Sequence, residues 1–154
     1  MNASERHLVD AILKRKTLSH LDFRRVEQLG DDGFDYIKEF LLHAPTAQHK
    51  VNGLSLLIRF GTRISKRQGD VRLPEVFDAA AGFLDDPDLG VRTSAARMVV
   101  GVLGLLRTLQ RSLETVGGSK RVWETLRRAL EAAPEQVERK LVEEALMELE
   151  SPRD

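Results

Sequence analysis

Leu84-Asp85-Asp86-Pro87-Asp88-Leu89-Gly90-Val91-Arg92-Thr93-Ser94-Ala95-Ala96 is the stretch that decides how the chain folds. Aspartates on both sides of a proline make a turn. Their carboxylates can cap backbone N–H groups, and proline, with its fixed φ and no N–H to lose, suits the first turn of a helix. Upstream, Leu73 to Leu84 reads as one helix. Downstream, Val91, Ala95, Met98, Val99, Val102, Leu103 and Leu106 recur at the three- and four-residue spacing of a second. Two helices joined by a short turn cannot bury their apolar faces alone and need neighbours of the same kind.

Such neighbours lie on either side. Phe34 to His43 forms a helix broken at Pro45, and Val51, Leu54, Leu57 and Phe60 stripe the helix that follows. Arg121 to Ala132 carries Val122, Leu126 and Leu130, Pro134 opens a turn, and Val137, Leu141, Ala145 and Leu149 line the last helix. The turn prolines at 45, 87 and 134 are 42 and 47 residues apart, the period of a unit made of two helices and their turns. At the N-terminus, Ser4 to Lys16 forms a short amphipathic helix with Leu8, Ile12 and Leu18 as its apolar contacts. Ser19 and Asp22 then form a capping-box-like start for a second helix ending at Leu29. Gly30 closes that helix in the left-handed conformation, and Asp31 or Asp32 caps the next. Alternating β-branched stretches are scarce. The expectation is an all-α chain of about eight helices in one domain over residues 1–154: an N-terminal pair or cap (1–30) and three repeats (31–69, 70–116, 117–150).

The quoted stretch resembles the turn of a HEAT repeat, in which a leucine, one or two aspartates and a proline or small residue precede Val-Arg and paired alanines. The resemblance implies a short right-handed α-solenoid of antiparallel helical hairpins. It further implies that Asp86 or Asp88 caps the second helix and that Arg92 reaches across the turn, toward the neighbouring repeat. The first turn departs from the pattern with His49-Lys50-Val51 and the third with Val137-Glu138. Those two repeats rest on period and helix pattern, and the resemblance covers residues 34–149.

At 154 residues, 42% apolar and 31% charged, the composition is that of a folded, water-soluble chain. The absence of cysteine excludes disulfides, thiolate metal sites and a cysteine nucleophile together, and points to the cytosol. Met1 to Lys16 is interrupted by charge, unlike a secretory signal. The longest apolar run, Met98 to Leu106, is far short of the ~20 residues a membrane span requires, so it reads as the enclosed centre of the core, with Gly101 and Gly104 allowing close helix approach. Arginine outnumbers lysine seventeen to seven, a hint of a GC-rich bacterial genome.

Glycine-rich phosphate loops, GxSxG elbows, HExxH and EF-hand patterns are all missing. His7, His20, His43 and His49 lack ligand spacing, and although His43 and His49 flank one turn, a carboxylate or thiolate partner is wanting. Asp31-Asp32, Asp85-Asp86 and Glu143-Glu144 suit caps and charged surface better than the unlike environments that acid–base pairs need. Trp123 reads as a packing residue, with an exposed anchor as the alternative. No catalytic residue, metal ligand or cofactor is expected.

Charge is unevenly spread. Net charge is zero, yet residues 46–72 carry +5, 73–90 −5, 91–128 +6 and 129–154 −5. Arg59, Arg63 and Arg67 share one helix face at four-residue spacing, as do Arg107 and Arg111 on another. These arginines end second helices of successive hairpins, so two readings stand open. They complement helix dipoles at about 0.3–1 kcal/mol each, or they form a basic ledge that binds an acidic peptide or a phosphate group. The function expected is that of a non-enzymatic protein-interaction module of adaptor, regulatory or immunity type. Nucleic-acid binding through the ledge is the second reading, and a helical-repeat DNA-repair enzyme the third. The acidic C-terminal hairpin beside a basic middle also permits self-association; no membrane partner is expected.

Overall fold

The computed structural model describes residues 1–68, 72–132 and 136–150, and their side chains except those of 62–68, 136–137 and 150. Among the described residues there are eight α-helices and no strand: α1 (Ala3–Leu13), α2 (His20–Glu27), α3 (Gly30–Leu41), α4 (Ala47–Gln68), α5 (Leu73–Gly82), α6 (Leu89–Thr108), α7 (Ser119–Ala132) and α8 (Gln136–Glu150), with a 3-10 turn at Leu113–Val116. The all-helical expectation therefore holds. Two compact units divide the chain, Met1–Arg72 and Leu73–Asp154.

In the first unit α4 is the helix on which α1, α2 and α3 pack. Leu54, Leu57 and Phe60 form its buried stripe, as the spacing predicts, and Phe60 stacks on Phe34 of α3 with ring centroids 5.9 Å apart. Each such fully buried side chain is worth about 1.5–3 kcal/mol. One buried polar side chain ties the N-terminal helix to this core. Asn52 donates through Nδ2 to the carbonyls of Leu13 (2.9 Å) and Arg15 (2.7 Å), satisfying the open C-terminal end of α1. That end falls at Leu13, short of the expected Lys16. Ser19 and Asp22 form the capping box read from the sequence, and Arg15 faces the buried Asp22 carboxylate at 2.7 Å. Gly30 takes a left-handed φ of 66°, but Leu29 holds the cap position of α3 with no side-chain hydrogen bond. Asp31 and Asp32 thus sit in the first turn instead of capping it, where they still meet the positive end of the helix. Arg72 lies over the Phe34 ring at 4.0 Å and bridges Asp35 (2.5 Å) and Asp31 (3.6 Å). Tyr36 donates its hydroxyl to Asp10 at 2.7 Å, and burial, then that hydrogen bond, push its pKa up.

In the second unit α6 is the common neighbour of α5, α7 and α8. Asp88 caps it, accepting from the Val91 N–H at 3.0 Å. Arg92 does not leave its own turn: it donates to the carbonyls of Asp86 (2.9 Å) and Pro87 (3.0 Å), tying off the corner. By length and composition alone α6 would be able to cross a membrane; here it is one-sided. Val91, Ala95, Ala96, Met98, Val99, Val102 and Leu106 are buried, while Gly104 is exposed, with nothing within 4 Å of where a Cβ would stand. Close helix approach therefore does not explain Gly104. On α8 the buried residues are Glu138, Val142 and Leu146, and Leu141 is exposed, so the face is turned one residue from the expected stripe. Val137 of that stripe and Pro134 lie outside the described side chains. Trp123 is 41% exposed, with the Arg127 guanidinium 5.6 Å from its ring.

Candidate functional site

Oppositely charged blocks of sequence meet as rungs between helices of the second unit. Arg121 of α7 reaches Asp78 of α5 at 2.5 Å, and Arg128, two turns on, reaches Asp85 just past α5 at 2.7 Å. Arg97 of α6 pairs with Glu138 of α8, and Arg107 of α6 pairs with Glu148 of α8. In each case both partners advance along their helices together, so α5 and α7 run the same way, as do α6 and α8. The hydrogen bond from Arg97, then one from a backbone N–H, hold the Glu138 carboxyl below the usual carboxylate range. Much of the charge segregation in the sequence is thus spent inside the unit.

The five arginines of the expected ledge are placed as follows. Arg59, in the first unit, is exposed, and its guanidinium lies 4.3 Å from the centroid of Phe23 on α2, a cation–π contact. The side chains of Arg63 and Arg67 lie outside the described residues. Arg107 and Arg111, in the second unit, both line one groove.

That groove opens where α6 ends. Leu103, Leu106, Leu113, Ala145 and Leu149 give it an apolar floor, Ser112 and Ser119 add hydroxyls, and Arg107, Arg111 and Glu148 stand at its edge around a volume of about 360 Å³. Its shape follows from how α6 stops. The Arg111 N–H donates to the Leu106 carbonyl (2.8 Å) and the Gln110 N–H to that of Arg107 (3.0 Å), a Schellman closure with Gln110 at a left-handed φ of 55°. This closure turns the chain across the end of α6, placing Arg111 on the rim and Leu113 in the wall. A second left-handed residue, Gly117 (φ 105°), ends the 3-10 turn and leads the chain into α7 at Ser119. An apolar floor edged by a few convergent polar groups is the general form of a binding site.

Sequence reasoning found the two arginines and missed the floor. Leu113 belongs to a 3-10 turn for which no motif stands in the sequence, and the Gln110 closure lacks the glycine that normally marks one. The histidines do not gather. His7, His20 and His43 are exposed, and His49 lies 2.5 Å through Nδ1 from Thr46 Oγ1 at the start of α4, its ring against Phe40. Among the described residues, no three His, Asp or Glu side chains are grouped to hold a metal ion. Comparison of the chain with models of protein families, with curated proteins and with solved structures finds no match in any of the three.

Proposed function

We propose that the chain is a non-enzymatic protein-binding module, built as a short HEAT-like stack of helical hairpins, and that it receives its partner in the groove at the end of α6. The observation that carries this is the groove itself: an apolar floor of leucines edged by Arg107 and Arg111. The HEAT-like reading draws support from the second unit. Helices at equivalent places in successive pairs, α5 with α7 and α6 with α8, run in the same direction, as stacked hairpins require. The Asp88 cap gives the Asp-Pro-Asp…Val-Arg segment one of the structural roles that such a turn calls for.

A protein partner is preferred over nucleic acid because the rungs neutralise basic charge of the second unit. Arg97, Arg107, Arg121 and Arg128 each face a carboxylate, which interrupts, among the described residues of the second unit, the continuous positive strip that phosphate-backbone binding uses. A pull-down from native host lysate, with and without nuclease, tests the reading. A stoichiometric protein retained after nuclease is the expected result. Recovery of nucleic acid alone, lost at moderate salt, would replace this reading with the second.

A further inference from the structure

We infer that the corner between α1 and α2, in the first unit, binds an acidic helical segment of a partner protein, which sets an apolar side chain on Leu21 and carboxylates on Arg24 and Arg25. This rests on the protein-binding reading and adds to it a second contact, on a unit that the groove does not involve.

Three observations lead there. The first is charge without an acceptor. Between Lys14 and Gln28 the chain carries five Lys or Arg residues against Asp22 and Glu27. Asp22 is buried and spent on Arg15, and Glu27 is half-buried with an interaction of its own. Lys14, Lys16, Arg24 and Arg25 are exposed, and among the described residues none of the four has a carboxylate partner. In the second unit, by contrast, Arg97, Arg107, Arg121 and Arg128 each meet one. The second is placement. Leu21, Arg24, Arg25 and Gln28 follow one another at the three- and four-residue spacings that put them on one face of a helix, turned away from the buried Asp22 and Val26. The Arg15–Asp22 pair at 2.7 Å holds the lysine-bearing stretch against the first turn of α2. The third is Leu21, 52% exposed. Basic side chains at the ends of α1 and α2 would suit the helix dipoles alone, but a leucine exposed among them serves no dipole. It also separates the occupants. A nucleic-acid backbone offers phosphates and sugars without an apolar cover, and a single leucine gives a bilayer little to bury. A helix bearing both acidic and apolar residues answers the whole face, as α8 answers α6 with Glu138 and Glu148 on arginines and Val142 and Leu146 buried. Arginine suits this pairing, since its fork can grip a carboxylate through two parallel hydrogen bonds.

Random dodecamer peptides selected on the full chain provide the test, in one pool as they stand and in a second pool after depletion with the double variant Arg24→Glu/Arg25→Glu. The second pool should pair two or more aspartates or glutamates with a leucine-like residue three or four positions away. Its peptides should weaken tenfold or more on the double variant and severalfold on Leu21→Ser, weaken as salt rises, and bind Arg107→Glu, a control in the groove, as they bind wild type. Backbone amide shifts on wild type should localise to Leu21, Arg24 and Arg25, a readout that stands even if the double variant fails to fold. A second pool that is empty, that lacks acidic residues, or whose shifts fall elsewhere would overturn the corner assignment. Duplex DNA or phosphatidylglycerol vesicles that bind wild type more tightly than any peptide, and are lost on the double variant, would overturn it too, making the occupant a phosphate-bearing one. Peptides of the first pool that bind the double variant unchanged keep the protein-binding reading in each of these cases. That reading falls only if the first pool is also empty and the pull-down retains no protein.

Discussion

Arg128 of α7 holds Asp85 at 2.7 Å and also reaches the Ala81 carbonyl at 3.3 Å, so one guanidinium links α7 to both the charge and the backbone at the end of α5. With Arg121 and Asp78 at 2.5 Å two turns away, the acidic block 73–90 and the basic block 91–128 become two sides of one contact. Part of the charge segregation along the chain is thereby accounted for as helix pairing.

These rungs are exposed, and exposed ion pairs are worth about 0–1 kcal/mol. A double-mutant cycle on Arg121→Ala and Asp78→Ala should give a coupling of under about 1 kcal/mol that shrinks as salt rises. Arg121→Ala alone should cost more than the coupling, because that side chain also donates to the Val116 carbonyl at 2.9 Å and lies 5.1 Å from the Phe77 ring. Urea unfolding at low and high salt reads both.

Asn52 is 3% exposed and satisfies two carbonyls at the end of α1. Asn52→Leu leaves both without their donor, at about 1–3 kcal/mol for each group orphaned in the interior. The expected result is a destabilisation of about 2–4 kcal/mol in chemical denaturation, and early amide exchange confined to α1 and its neighbours.

Two positions on and after α6 should gain stability. Gly104 is exposed with open space around its missing Cβ, so Gly104→Ala should stabilise by about 1 kcal/mol through helix propensity. Gln110 occupies a left-handed conformation at φ 55°, which costs a residue with a Cβ about 1–2 kcal/mol. Gln110→Gly should recover part of that and raise Tm without moving Arg111 from the rim. A fall in Tm for either variant would contradict the geometry.

Glu138 titrates lower when folded, with Arg97 as the first cause. Its contribution to stability is therefore whole above the ordinary glutamate value of 4.5 and is lost as pH falls from there through the depressed folded value. Glu138→Gln should flatten the stability profile of the second unit across that acid window while shifting it little in slope at neutral pH. Denaturation series from neutral pH down to pH 3 would show whether the acid limb changes.

The parts of the fold written in local chemistry were legible in the sequence. Ser19 and Asp22 announce α2, Asp88 announces α6, and the stripe through Leu54, Leu57 and Phe60 places α4 on its neighbours. Where sequence reading slipped, a polar residue stood in an apolar role or the reverse. Glu138 is buried because Arg97 answers it, and a charged residue on the inner face of α8 shifts the apparent apolar stripe by one position. Trp123, read as a packing residue with an exposed anchor as the alternative, is 41% exposed beside Arg127. At the candidate site, Arg107 and Arg111 stood out by charge and spacing. The Gln110 closure and the leucine floor did not, because a left-handed glutamine leaves no signature and the floor is gathered from three separate segments.

The rungs carry a consequence for how such a chain can be rearranged. In the second unit the first helix pair is acidic then basic (Asp78 and Asp85, then Arg97 and Arg107), and the next pair is basic then acidic (Arg121 and Arg128, then Glu138 and Glu148). Two copies of the same pair placed side by side would set aspartate on aspartate and arginine on arginine. Recombination that duplicates one pair, or swaps their order against a like neighbour, is penalised at four contacts at once. Within this unit the order of the two pairs is guarded by charges that contribute little to its stability.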